Sequence, residues 1–257
     1  MTIRRTAPLL LSLVLATACA HRTPASAEAA HWANAGQLVL VTTADWDATT
    51  GTLRYFERAG SGWKQVDKPF DVTVGRTGTA WGIGLHAPRS DGPVKREGDG
   101  KAPAGVFAIG TAFGYAASAR TGLDYKGMGR NDWCIDVPGS TYYNKIIDRS
   151  LVKAPDLDKS SEPMRRDIHV DGDQRYREGF VIEHNADGAV ANGGSCIFAH
   201  LWKAPGEATA GCTAMAPASM APLLAWLDAR KRPVFVELPL AQYAQLRAAW
   251  NLPEIKQ

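Results

Sequence analysis

Gly193-Gly194-Ser195-Cys196-Ile197-Phe198-Ala199-His200-Leu201-Trp202, continued through a polar loop by Thr209-Ala210-Gly211-Cys212-Thr213-Ala214-Met215, is the densest stretch of the sequence. Residues 195–201 form a short apolar run between a glycine pair and a polar loop, the pattern of a buried strand. A His near the end of that strand and a Cys beside a Gly, joined by a loop able to fold back, supply the two partners of thiol chemistry. A free thiol is weakly ionised near neutral pH, and a neighbouring imidazole either takes its proton or holds it as a thiolate–imidazolium pair. Gly211 lacks a side chain, so backbone N–H groups have room to converge where an acyl oxygen becomes negative. The segment implies acyl transfer through a thioester, with Cys212 as nucleophile, His200 as base and Gly211 as part of the catalytic loop.

Outward from that segment, residues 179–184 and 233–238 also read as buried strands. Residues 37–43, 52–57 and 70–75 alternate apolar with polar or carry β-branched side chains between turn-rich pieces such as Ala59-Gly60-Ser61-Gly62, which predicts an antiparallel meander. Glu97-Gly98-Asp99-Gly100-Lys101-Ala102-Pro103-Ala104-Gly105 precedes a strand-like Val106-Phe107-Ala108-Ile109. No helical pattern follows at once, so these glycines serve turns and not a phosphate cradle. Residues 111–177 show little periodicity and are expected as long surface loops. Their Arg165, Arg166, Arg175 and Arg177 are either a solvated face or a grip for carboxylates. Met220, Leu223, Leu224 and Leu227 recur at helical spacing after Pro217, a good first-turn residue, and a second helix is expected over 240–250.

Composition bounds the rest. At 257 residues and 45% hydrophobic content the chain can bury one substantial core. Its 29 Lys and Arg nearly balance 26 Asp and Glu, and no basic block appears, which argues against nucleic acid as a partner. Arg4 and Arg5 precede a short apolar run from Ala7 to Ala16, the pattern of an export signal over residues 1–18. Leu15-Ala16-Thr17-Ala18-Cys19 resembles a lipoprotein-processing box that would leave Cys19 as a lipid-bearing membrane anchor; cleavage after Ala18 or Ala27 is the alternative. Residues 19–35, small and Ala-rich, are expected as a tether, and 36–250 as the folded domain. An exported, cell-envelope or periplasmic location follows.

Removal of Cys19 leaves Cys134, Cys196 and Cys212, an odd number in an oxidising compartment. Either one thiol is free, or all three are unpaired or metal-bound. The simplest partition is a Cys134–Cys196 disulfide with Cys212 free. A zinc set of Cys196, His200, Cys212 and His184 can be drawn, but the paired short Cys spacing of structural sites is missing, so no metal and no cofactor is expected.

The two-part motif resembles that of the YkuD-type L,D-transpeptidases, whose usual form has an upstream His, then Ser/Thr-His-Gly-Cys with Arg or Asn two places on. His200, Gly211 and Cys212 match, whereas Ala210 stands for the second His and Ala214 for the Arg or Asn. A divergent branch of the family carries much the same Gly-Cys-Thr-Ala-Met ending. The Glu97 to Phe107 stretch is similar to the family's Gly-Asp-Gly-x-x-Pro-x-Gly-x-Phe segment, and Trp133-Cys134 through Tyr142-Tyr143-Asn144 fits the same branch. Coverage runs from about Gln37 to Leu238.

The resemblance implies a mostly β, sandwich-like domain with a few packed helices and long loops. It implies a cysteine acyl-enzyme formed with a peptidoglycan stem peptide and passed to an amine acceptor. Water as acceptor, giving a carboxypeptidase or hydrolase, is one alternative, and a catalytically silent peptidoglycan-binding protein is another. Leu201, whose main-chain oxygen the resemblance implies to steady the imidazole, joins Thr209, Thr213, His184 and Ser195 as candidate residues of the substrate site.

Overall fold

The structure, a computed structural model, describes residues 27–255. The expected export signal and Cys19 lie outside the described residues. Among the described residues fourteen strands form, in chain order: β1 (Gln37–Thr43), β2 (Thr50–Ala59), β3 (Gly62–Gln65), β4 (Phe70–Thr73), β5 (Thr79–Trp81), β6 (Ala102–Gly114), β7 (Tyr125–Gly127), β8 (Asp132–Cys134), β9 (Ile146–Asp148), β10 (Glu162–Pro163), β11 (Glu178–Ile182), β12 (Phe198–Leu201), β13 (Thr213–Met215) and β14 (Val234–Pro239). The helices are a single turn, α1 (Arg166–His169), then α2 (Pro217–Trp226) and α3 (Leu240–Leu246).

The mostly β class expected from the sequence holds, but the strands close on themselves where two stacked sheets were expected. Hydrogen bonding runs β1-β14-β6-β11-β12-β13-β4-β2 and returns from β2 to β1, a ring of eight strands. The predicted meander is present, since β2 pairs antiparallel with β1, β3 and β4. What changes the architecture is β14, which inserts parallel to β1 and antiparallel to β6 and so leaves neither edge open.

Side chains of alternate residues divide between the barrel interior and the outside. Val39, Val41, Phe107, Phe180, Ala199, Leu201, Met215 and Phe235 fill the interior together with residues of α2. Leu38, Leu40, Val234 and Val236 face outward but are covered by Trp32, Tyr243, Leu246 and Trp250. Coverage on both faces explains why β1 is buried at every position and reads as a nearly continuous apolar run.

Two expectations need correction. Residues 27–35, read as the end of a tether, join the domain: Ala27–Trp32 forms a 3-10 helix, and Trp32 is buried edge-on against Trp250 with its indole N–H bonded to the Trp250 carbonyl. The aromatic residue in an otherwise small-residue stretch is what draws the segment onto the core. Residues 111–177 are not simply loops: β6 extends to Gly114, and β8, β9 and β10 form a separate three-stranded sheet. A disulfide joins Cys134 of β8 to Cys196, just ahead of β12, and pins this cap onto the barrel. Short strands of mixed polarity carry too little periodicity to be read in sequence.

Candidate active site

The parallel pairing of β12 and β13 places the chemistry. His200 lies opposite Ala214 and Ala199 opposite Thr213, so Cys212, one residue ahead of β13, is opposite Phe198. Ala199, Leu201 and Met215 belong to the barrel interior, while Phe198 and Cys212 belong to an outer cluster beneath the cap. His200 shares the outer face with Cys212 by the same alternation, one diagonal step away across the strand pair. Both line a groove of about 350 Å³ between the barrel and the cap.

Cys212 is 8% exposed and is the free cysteine among the described residues. Its Sγ accepts from the Phe198 N–H at 3.4 Å and donates to the Cys196 carbonyl at 3.6 Å. That carbonyl is held in place by an unusual backbone, because Cys196 adopts a φ of 56°. The disulfide and an Asn144 Oδ1 that accepts from the Cys196 N–H at 2.8 Å maintain this conformation. The Cys134–Cys196 partition expected from the cysteine count is therefore present, and it removes Cys196 from any zinc set, since a bonded sulfur cannot serve as a thiolate ligand.

His200 Nδ1–H donates to the Leu201 carbonyl at 2.8 Å, which leaves Nε2 as the nitrogen with a lone pair. This is the role the resemblance implied for the Leu201 main chain; the Leu201 side chain belongs to the barrel core. The Tyr176 ring stands edge-on to the imidazole with centroids 5.1 Å apart. Its hydroxyl bonds the Glu162 carboxylate, which also receives Arg166 Nη1 at 3.2 Å. Burial pushes the Cys212 thiol up to about 12, with the Glu162 charge acting in the same direction. Burial also pushes His200 down to about 4. Both shifts favour a neutral thiol beside a neutral imidazole over a standing thiolate–imidazolium pair.

The loop before Cys212 is stapled by one hydroxyl. Thr209 Oγ1 accepts from the Gly211 N–H at 3.0 Å and donates to the Cys212 carbonyl at 2.6 Å. Gly211 itself has a φ of 149°, and a Cβ there would come within 2.9 Å of the Lys101 carbonyl. Its requirement for glycine is thus steric and conformational. The oxyanion role expected of Gly211 does not come from its own amide, which Thr209 already occupies.

The remaining candidates separate cleanly. Ser195 lines the groove and donates to Glu97 Oε2 at 2.7 Å. Thr213 is not brought to the groove: it turns to the inner side and donates to Glu237 at 2.8 Å. His184 is not brought there either, for its Nδ1 accepts from the Ile83 N–H and its Nε2 donates to the Gly193 carbonyl, while burial lowers it to about 4. It is a structural clamp between loops. Arg166 and Arg175 do reach the groove, yet both are committed to Asp173.

Sequence reasoning missed Arg76, Lys95, Glu97, Asp136, Glu162 and Tyr176, all of which line the groove. The cap supplies the last three, and nothing local marks a residue that reaches a site through a distant disulfide. Among the described residues no group of three or more His, Cys, Asp or Glu is placed to hold a metal, and no helix is long and apolar enough to cross a membrane. No known family model, curated protein or solved structure matches this chain.

Proposed function

We propose that the protein is a cysteine acyltransferase of the L,D-transpeptidase type, acting on the peptide stems of peptidoglycan at the cell envelope. The observation that carries this reading is the placement of a free thiol, Cys212, and an imidazole oriented by its own strand's carbonyl, His200, on one face of paired strands at the floor of an open groove. The mostly β domain and the internal disulfide are consistent with an exported enzyme, and a lipid on Cys19 would hold it at a membrane.

In the resting site both partners are neutral, so proton transfer accompanies attack. As the Cys212 sulfur bonds to the stem's carbonyl carbon, the thiol proton passes to His200 Nε2, and the imidazolium then protonates the departing amine as the C–N bond breaks. The products are a thioester and a free D-amino acid. An acceptor amine, deprotonated by the same imidazole, attacks the thioester and releases the sulfur.

The test is mass spectrometry of the protein and its products after incubation with purified muropeptides. The expected result is a Cys212 acyl adduct in the wild type, cross-linked product, and neither in Cys212→Ser. Equal turnover by Cys212→Ser would refute the assignment, and a product shortened by one residue without cross-links would identify water as the acceptor.

A further inference from the structure

A row of paired residues leads from the Cys212 groove to a second cleft. His200 lies opposite Ala214, Ala214 opposite Thr73, and Thr73 opposite Thr50, so the row crosses β12, β13, β4 and β2. Adjacent strands are about 4.8 Å apart, which puts Thr73 roughly 10 Å from His200 along the outside of the barrel. There a cleft of about 690 Å³ opens, against about 350 Å³ for the Cys212 groove. The loop from β12 to β13 divides the two: Trp202 and Pro205 line the cleft, while Thr209, Gly211 and Cys212 line the groove.

Hydroxyls make up much of this cleft. Val72 and Val74 belong to the barrel interior, so Thr73 between them is turned outward, where it lines the cleft. It is 1% exposed, and its Oγ1 has no hydrogen-bond partner among the described residues. An unpaired buried hydroxyl is destabilising, so this one points to a partner supplied from outside the chain. Nearby, Thr42 and Thr52 face each other across β1 and β2, and Thr52 faces Asp71 across β2 and β4. The side chains of Thr50, Thr52 and Asp71 make no hydrogen bond or ion pair among the described residues.

Charge and shape select the ligand class. Arg54 and Asp71 are the charged residues of the lining and are opposite in sign. Neither has an ion-pair partner among the described residues, and Arg54 donates instead to Thr42 Oγ1 at 3.3 Å. A lining without net charge favours neither an anion nor a cation. Trp202, half-buried, offers a flat ring on one wall, and Leu240 and Ile255 add apolar surface. Such a lining suits a neutral polyhydroxyl ring, whose oxygens take the hydrogen bonds while its C–H face rests on the indole.

We propose that this cleft is a binding site for a neutral oligosaccharide, with a sugar ring against Trp202 and its hydroxyls on Thr73, Thr52 and Asp71. A sugar seated here stands one loop away from Cys212, close enough for a peptide branch on it to enter the groove. Identifying that sugar as the glycan of peptidoglycan rests on the function proposed above, whereas saccharide binding itself does not.

The experiment titrates the full chain by calorimetry with chitotriose, a neutral N-acetylglucosamine trimer, and with trigalacturonate, an anionic sugar trimer. Chitotriose should bind the wild type and Cys212→Ser equally, and trigalacturonate about fivefold more weakly, since its carboxylates lose water against a lining of no net charge. Affinity for chitotriose should fall about tenfold in Trp202→Ala and about threefold in Asp71→Asn, an exposed position. Thr73→Val should lower affinity about threefold without lowering the urea midpoint, which separates a ligand-binding hydroxyl from a structural one. Absence of chitotriose binding at millimolar concentration, tighter binding of trigalacturonate, or an affinity unchanged in all three cleft variants overturns the proposal. None of these readouts uses the Cys212 sulfur, so failure here is distinct from failure of the muropeptide assay.

Discussion

The two faces of β12 and β13 carry buried polar groups in almost equal seclusion and with opposite consequences. On the inner side, Thr213 donates to Glu237, a fully buried carboxyl whose other oxygen lacks a partner and which burial pushes up to about 8. On the outer side, burial pushes Cys212 up to about 12 and His200 down to about 4. Seclusion has neutralised all of these groups near pH 7, so a shifted ionisation does not by itself distinguish a site from a core. What distinguishes them is the opening: the outer pair lines a groove, whereas Glu237 is enclosed by barrel strands. One residue of register therefore separates a groove-lining sulfur from a buried structural hydroxyl.

The sharpest way to break the contrast is His200→Gln, which keeps a polar side chain but removes the base. Acylation of Cys212 should slow by about a thousandfold while the urea midpoint changes little. An unaltered acylation rate would show that the two faces do not differ as argued. Next in size is the link between cap and barrel. Replacing Cys134 and Cys196 together with Ala should lower stability by about 4 kcal/mol in denaturant titration, the entropy of a closed loop whose ends are 62 residues apart. The Cys196 backbone would relax as well, and Cys212 would lose its fixed carbonyl partner, so activity should fall further than stability predicts.

The smallest effect tests the inner face. Glu237 sits near 8 in the folded chain against about 4.3 when unfolded, so the native state retains a proton the unfolded state gives up. Its contribution is complete below the unfolded value and is lost as pH rises through 8. Between pH 5 and pH 7 the wild type should lose about 2 kcal/mol through this group, and Glu237→Gln should abolish that slope without altering acylation. A slope unchanged in the variant would place the titration elsewhere.

Much of the outer face was legible in the residues. Cys212 and His200 are close in sequence, joined by one loop, and each announces its chemistry by type, while the part played by the Leu201 carbonyl was implied by the resemblance. The Cys134–Cys196 bond followed as the simplest partition of an odd count. The helix at Pro217–Trp226 appeared as expected because its period is local, with Met220, Leu223 and Leu224 buried. Thr209 and Thr213 looked alike in sequence, flanking the same Gly-Cys pair, yet one staples the backbone of Gly211 and Cys212 and the other supports a barrel carboxyl. The glycine's backbone turn between them decides which way each points.

By itself, then, the order of residues determined the strand-rich class and the candidate thiol and imidazole, since these depend on periodicity and residue type, while the carbonyl that orients the imidazole was implied by the family resemblance. Closure of the barrel and the placement of Glu162, Tyr176 and Arg76 along the groove that Cys212 lines were decided only in three dimensions. Each depends on pairing between segments far apart in the chain: β1 with β14, Cys134 with Cys196, Gly75 with Thr209. Such pairings are selected by the total burial and hydrogen bonding of the folded whole, and no local pattern encodes them.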